Sequence, residues 1–228
     1  MRLSIIVPVY NEKNTLREII RRLRDAPLEV EKEVIAVDDG STDGSREILK
    51  ELEQQEGLII LYHQANLGKG YAIRTGLARA TGEAVVIQDA DLEYDPRDIK
   101  KLLGPYIEGR GKVVYGSRFT GERRNMFFWH YLGNRFLSLL VNILYNTTLS
   151  DMETGYKFFN REVLKNIPLR IDGFGFEPEV TAKVLRRGYR IYEVPISYMG
   201  REYSEGKKIT WIEGPRAIFL LFWFLLFN

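Results

Sequence analysis

The densest chemistry in the chain is Gln88-Asp89-Ala90-Asp91-Leu92-Glu93, with carboxylates at alternate positions. Oxygen ligands spaced this closely suit a hard divalent cation, Mg²⁺ or Mn²⁺, which in turn clamps phosphate oxygens. The segment follows Ala84-Val85-Val86-Ile87, a short apolar run that reads as a strand buried in a parallel sheet. In open α/β sheets the crevice at the carboxyl ends of the strands is where ligands bind. The expectation is a metal–diphosphate site. The bland alternative is a solvated acidic turn, and an isolated Asp-x-Asp does not decide between them.

Two other strand ends carry groups of the right kind. Pro8-Val9-Tyr10-Asn11-Glu12 follows the first apolar run and Val37-Asp38-Asp39-Gly40-Ser41 the second. A tyrosine ring can pack on a base, and a carboxylate can accept from ring N–H groups or a ribose hydroxyl. Taken singly, Asn11 and Glu12 read as a helix start and Asp38-Asp39 as a turn. With an acidic motif at a third strand end, Tyr10, Glu12 and Asp39 are expected to line one pocket. His63 and His130 have no spaced His or Cys partner and read as structural.

The elements that must position these residues alternate regularly. Strands are expected over Leu3–Val9, Glu33–Val37, Leu58–Tyr62, Ala84–Ile87 and Val113–Tyr115. Between them, Leu16, Ile19, Ile20 and Leu23 fall at helical spacing after Asn11, a candidate cap. Ile48, Leu49 and Leu52 mark a second helix, Ile73 and Leu77 a third after Asn66-Leu67-Gly68-Lys69-Gly70, and a fourth starts at Pro96. Such alternation predicts an α/β fold with a mainly parallel, doubly wound sheet over about the first 117 residues. Beyond it, Met126–Leu149 and Glu177–Arg187 are expected to be helical, and Tyr156–Phe159 and Arg190–Val194 to be strands.

Composition bounds the rest. In 228 residues, 45% are hydrophobic and 28% charged, so the chain can build a core and is not globally disordered. A net charge of +2 gives no field of the size nucleic acid requires. The absence of cysteine excludes disulfides and thiolate metal sites and suits a cytoplasmic setting. The N-terminus passes straight into a strand pattern without the apolar stretch and cleavage site of a signal peptide. Ala217–Phe227 is an uncharged apolar run of eleven residues, where a bilayer span needs about 20. It reads as a buried helix, a membrane-surface helix, or the opening of a span. The aromatic-rich Met126–Tyr145 stretch fits either a core helix or one lying at a membrane interface.

In their order along the chain, Pro-Val-Tyr-Asn-Glu, Val-Asp-Asp-Gly-Ser-Thr-Asp, Asn66–Gly70, Asp89-Ala90-Asp91 and Gly116-Ser117-Arg118 resemble the family 2 glycosyltransferases of the GT-A fold. With Asp151-Met152-Glu153-Thr154-Gly155-Tyr156-Lys157 and Phe176-Glu177-Pro178-Glu179, the chain is most similar to the polyprenyl-phosphate (dolichyl-phosphate) mannosyl- and glucosyltransferases. The resemblance implies an inverting, metal-dependent transfer of a hexose, mannose or glucose, from a GDP- or UDP-sugar to a polyprenyl phosphate at the cytoplasmic face of a membrane. It implies that Pro8, Tyr10, Glu12, Val37, Asp39 and Lys69 bind the nucleotide sugar, with Asp89 and Ala90 near the ribose and diphosphate. Asp91, helped by Asp89 and Glu93, would hold Mg²⁺ or Mn²⁺.

A phosphate acceptor, with its second pKa near ~6, is largely dianionic at neutral pH and needs cationic positioning more than a base. Arg118, Arg135, Arg201, Lys207 and Lys208 are the candidates, with Arg118 and Arg201 favoured for their bidentate forks. Arg135 fits a phosphate role and a structural pair equally. Arg123, Arg124, Arg186 and Arg187 read as solvated charge. Asp91, Arg118 and Arg201 are thus the expected catalytic residues. The chain departs from the mannose synthases in carrying Glu93 where they carry Gln, and Arg201-Glu202-Tyr203-Ser204-Glu205-Gly206-Lys207-Lys208 in place of Arg-x-x-Gly-x-Ser-Lys. The sugar and lipid therefore stay open. Residues 1–210 are expected to form the catalytic domain and 211–228 a hydrophobic helix. Three other readings compete: a transferase with a non-lipid acceptor, a degenerate non-catalytic scaffold, and a phosphate-receiving signalling domain. The last would leave the Asp89–Asp91 site and the second half of the chain unexplained.

Overall fold

Short runs of apolar residues with both faces covered build the centre of the molecule, and in the computed structural model, which describes residues 1–53, 57–201 and 213–227, they form one seven-stranded sheet. The strands are β1 (Arg2–Val9), β2 (Glu31–Asp38), β3 (Leu58–Tyr62), β4 (Ala84–Ile87), β5 (Val113–Ser117), β6 (Lys157–Asn160) and β7 (Ile191–Pro195), in the order β3-β2-β1-β4-β6-β5-β7. The helices are α1 (Leu16–Asp25), α2 (Ser45–Leu52), α3 (Lys69–Arg79), α4 (Ile99–Ile107), α5 (Phe128–Tyr145), α6 (Arg161–Lys165), α7 (Phe176–Arg186) and α8 (Glu213–Leu226).

Alternating side chains send each strand into two cores. Ile5 and Val7 of β1, Val86 of β4 and Phe158 of β6 meet Leu16, Ile19, Leu49 and Leu102 from α1, α2 and α4. Ile6, Val85 and Phe159 point the other way, to Ile73, Leu164 and Val180 from α3, α6 and α7. A third cluster joins Leu137 and Val141 of α5 to Ala182 of α7 and Leu220, Leu221 and Phe224 of α8. The C-terminal helix is therefore half-packed on the body.

Two expectations need correction. Asn11 does not cap α1: it takes a left-handed backbone (φ 51°), its amide donates to Ser41 Oγ (3.0 Å), and its side-chain oxygen accepts from Thr42 N (2.8 Å). It therefore ties the β1 loop to the β2 loop, and the helix begins later, at Leu16 after Thr15. The helix expected from Pro96 opens as a 3₁₀ turn, Pro96–Asp98, capped by Asp95, whose carboxylate accepts from Arg97 N (2.9 Å). The sheet is mainly parallel as expected, but β6 runs antiparallel between β4 and β5. That insertion carries residues 151–156 to the end of β4, beside the acidic turn.

Gly76, within α3, packs against the sheet: an added Cβ would stand 2.6 Å from Ile6 Cγ2. Ile6 is fully buried and β-branched, so its Cγ2 has little freedom to retreat. Gly76→Ala is expected to lower stability by about 1–3 kcal/mol through overpacking, against the ~1 kcal/mol that alanine gains in a helix. Gly133→Ala in α5, where an added Cβ meets nothing within 4 Å, is expected to raise stability by about 0.5–1 kcal/mol. Urea unfolding of the two variants checks the contrast.

Candidate active site

The acidic turn is shaped by a backbone exception. Leu92 adopts a left-handed conformation (φ 63°), which costs a leucine roughly 1–2 kcal/mol. Between Asp91 and Glu93 it lets the Glu93 amide donate to Asp91 Oδ1 (3.1 Å) while both carboxylates reach the same cation. Behind the turn, Tyr156 Oη bonds to Gln88 Oε1 and donates to the Asp95 carbonyl (2.9 Å), and its ring stacks on Tyr94 at 4.9 Å between centroids.

Arg201 is that shared cation. Its Nη2 lies 3.0 Å from Asp91 Oδ2, Nη1 3.2 Å from Glu12 Oε2 and Nε 3.5 Å from Glu93 Oε1. Glu93 also latches the approaching chain, accepting from Arg201 N (3.0 Å) and Tyr198 Oη (2.8 Å). Burial first, then the Glu93 and Asp89 carboxylates, push the Asp91 carboxyl up to about 7, with Arg201 opposing. On the other side Lys69 Nζ, at the start of α3, stands 2.8 Å from both Asp89 Oδ1 and Glu177 Oε1. Burial alone would lower its pKa, but these two carboxylates hold the ammonium well above its ordinary value.

A cavity of about 750 Å³ opens over these groups, lined by Pro8, Tyr10, Glu12, Asp39, Lys69, Asp89, Ala90 and Asp91. Almost the whole expected nucleotide-sugar set is thus brought together. Val37 is not: it is fully buried in the core beneath. Asp39 also organises the wall, with Oδ1 accepting from Leu67 N (2.9 Å) and Oδ2 from Gly68 N (2.7 Å). His63 holds Asp39 Oδ1 through Nδ1 (2.8 Å) and reaches Thr75 Oγ1 through Nε2. Beyond, the Ile171–Gly173 segment lies so close over the start of α3 that a Cβ at Gly68 or Gly70 would collide with the carbonyls of Asp172 or Ile171.

The expected phosphate cations fare unequally. Arg118 lines the cavity but is committed to Asp151, donating through Nε and Nη2 at 2.7 Å each; among the described residues its Nη1 has no hydrogen-bond partner. Arg135 is exposed on α5, bonded to the Ser150 carbonyl, and outside the cavity lining. Lys207 and Lys208 lie outside the described residues. Two arginines not expected here do line the mouth: Arg124, read from the sequence as solvated charge, and Arg216 at the start of α8.

Sequence reasoning also passed over Glu153 and Glu177, both in the cavity wall. Each stood in a quoted motif, but only the antiparallel β6 and the packing of α7 put them beside Asp89. No periodicity signals such a meeting.

The carboxylates fit a divalent cation in charge and donor type, since Glu12, Asp91 and Glu93 already converge on a cationic guanidinium. Among the described residues they do not form a ready-made cage, because they turn toward Arg201. Asp89, Asp91 and Glu93 are the oxygens that would hold the metal.

Arg118 and Asp151 are both buried, so breaking the pair strands a charge. Arg118→Ala is expected to cost about 3–5 kcal/mol of unfolding free energy, measured by urea denaturation. Arg118→Lys, which keeps the charge but loses the fork, is expected to cost less.

Comparison with known proteins agrees with this geometry. The sequence model of "Glycosyl transferase family 2" matches residues 4–168. The glycosyltransferase AglJ of Haloferax volcanii is 32% identical over 218 residues, covering 95% of this chain and 69% of that protein. A UDP-N-acetylglucosamine–dolichyl-phosphate N-acetylglucosaminyltransferase of Methanococcus voltae is 29% identical, over 95% of this chain and 93% of its own. Among solved structures, glucosyl-3-phosphoglycerate synthase of Mycobacterium tuberculosis, in complex with Mn²⁺, UDP and phosphoglyceric acid, superposes with a TM-score of 0.77 at 20% identity, over 100% of this chain and 79% of that one. The sheet flanked by helices is accordingly that of the GT-A transferases, and the chain belongs to glycosyltransferase family 2.

Proposed function

We propose that this chain moves a hexose, mannose or glucose, from a GDP- or UDP-sugar to a polyprenyl phosphate at a membrane surface, with inversion and with Mg²⁺ or Mn²⁺. The observation that carries the reading is the continuity of one cavity, from the carboxylates at the strand ends to Met126, Trp129 and Leu137 at the edge of α5 and Ala217 on α8. A ligand with a charged head and a long apolar tail fits such a path. The relative named for dolichyl phosphate supports the lipid acceptor, and the Mn²⁺ and UDP in the structural neighbour support the cofactor.

In this reading residues 1–210 are the catalytic domain. Tyr10 supplies a ring for the base, and Glu12 and Asp39 acceptors for base or ribose. Lys69 offsets charge near the diphosphate. A metal held by Asp89, Asp91 and Glu93 would supply Lewis acidity toward the departing nucleoside diphosphate. Arg118 Nη1, Arg124 and Arg216 face the acceptor side of the cavity, where a dianionic phosphate needs orientation in line with the anomeric carbon. Arg201, between the two, must be shared between the carboxylates and an arriving phosphate.

The membrane side follows from the helix faces. On α5, Phe128, Trp129, Leu132, Phe136, Leu139 and Ile143 are exposed, with Trp129 at 77%. On α8, which packs against α5, Phe219, Phe222, Trp223 and Leu226 are exposed too, as is Phe227 just after it. Contiguous apolar surface of this kind marks a partner or membrane. No helix among the described residues is long and apolar enough to cross a bilayer. The exposed aromatics of α8 support a reading in which that helix meets the membrane surface.

Two outcomes test the proposal. With purified protein, Mn²⁺, a panel of nucleotide sugars and a short-chain polyprenyl phosphate, glycolipid should form, and Asp91→Ala should lower its rate by at least about a hundredfold. Turnover of the nucleotide sugar that ignores the lipid would exclude the acceptor. In vesicle sedimentation, Trp129→Glu with Trp223→Glu should release the protein from anionic vesicles while its melting temperature changes by no more than a few degrees, since both side chains are exposed.

A further inference from the structure

Glu153 is a cavity carboxylate to which the transfer described above gives no task. It stands on the 151–155 turn, where several other polar groups are engaged. Asp151 is clasped by Arg118, Met152 N donates to Ser138 Oγ (3.0 Å), and Gly155 N donates to Tyr94 Oη (2.9 Å). The buried Lys157 Nζ donates to the carbonyls of Met152 (2.7 Å) and Thr154 (2.6 Å), fixing the turn from below. Within this rigid frame Glu153 Oε1 is buried and has no hydrogen-bond partner among the described residues.

Its surroundings limit what can complete it. Burial, then the Glu177 carboxylate, push its carboxyl up to about 7, against the pull of Lys157 and Arg118. A phosphate or diphosphate would meet like charge from Glu153 and Glu177. An apolar chain would leave Oε1 as poorly served as before. A neutral ligand rich in hydroxyl donors satisfies both constraints. Location narrows the choice further. The backbone of Gly155 packs directly on Asp89 Oδ2, and Glu177 shares Lys69 with Asp89, so Glu153 lies next to the diphosphate end of the cavity. The group attached to the terminal phosphate of a nucleotide sugar is the hexose itself.

We propose that Glu153 accepts hydrogen bonds from hydroxyl groups of the donor hexose and thereby contributes to the choice of sugar. The proposal rests on the reading of the cavity as a nucleotide-sugar site. Glu153 is a specificity residue in this account: it holds the sugar at hydroxyls away from the reacting carbon and transfers no proton. A site that bonds a substrate hydroxyl discriminates strongly against analogues that lack or misplace it.

Calorimetric titration in Mn²⁺ tests this with UDP, GDP, UDP-glucose, UDP-galactose, UDP-N-acetylglucosamine and GDP-mannose on wild type, Glu153→Gln and Glu153→Ala. Nucleoside diphosphate affinity should stay within about twofold of wild type. Affinity for the preferred nucleotide sugar should fall about ten- to hundredfold in Glu153→Ala, and less in Glu153→Gln, which keeps an acceptor oxygen. Glu153→Gln should melt no lower than wild type at pH 8. A carboxyl whose folded pKa is raised costs stability progressively as pH rises from its ordinary value through about 7, and the amide carries no such cost. Equal weakening of nucleotide and nucleotide sugar, or a lowered melting temperature, would assign Glu153 to holding the turn and overturn the proposal. Unchanged affinity for every sugar would overturn it as well. Failure of wild type to bind any nucleoside diphosphate would instead remove the nucleotide-sugar reading, and this proposal with it.

Discussion

The site depends on charge compensation in a confined space. Glu12, Asp39, Asp89, Asp91, Glu93, Glu153 and Glu177 all face one cavity at the carboxyl ends of the strands. Carboxylates held this close raise one another's pKa unless cations intervene. Lys69 and Arg201 intervene from opposite sides, one fixed at the start of α3 and the other arriving after β7. Under the proposed function a metal-bound nucleotide would compete with Arg201 here, because a divalent cation would offer the Asp91 and Glu93 carboxylates more charge than a shared guanidinium does. Arg201 is the piece whose position that exchange would alter.

The antiparallel β6 brings both halves of the chain to one cavity. A purely parallel continuation would have set β5 beside β4 and left the second half of the chain at the sheet's edge. With β6 between them, the Asp151–Gly155 turn arrives against Asp89, and Arg118 is drawn into a buried pair behind it. Helix α7 then presents Glu177 to Lys69, and α5 and α8 extend the rim with apolar surface. In the proposed function the early strands would supply the nucleotide wall and the later elements the sugar and acceptor wall.

The proposed membrane surface and the cavity share the same rim. Tyr145 Oη donates to the Leu221 carbonyl, so the two rim helices are tied by a polar bond as well as by packing. Their outward faces carry aromatics while their inward faces enter the third core cluster. Surface of that kind is unfavourable in water and favourable at an interface, and under the proposed function it would set the cavity mouth where a lipid phosphate arrives.

The local pattern of the chain was enough to place most of the strands and helices and the acidic turn that follows β4, because each depends on apolar periodicity and turn chemistry within a dozen residues. It was also enough to bring Tyr10, Glu12, Asp39 and Asp89 to neighbouring strand ends, since alternating strands and helices impose that geometry. Tertiary structure decided the rest. Asn11 became a tie between loops, because the left-handed backbone at that residue responds to Ser41 and Thr42 across the sheet. Val37 sank into the core, since a strand's alternation turns it away from the cavity. Arg118 went to Asp151 and Arg135 to the surface, while Arg124 and Arg216 reached the rim. Charges on a chain carry no record of their partners; burial and the antiparallel strand chose them.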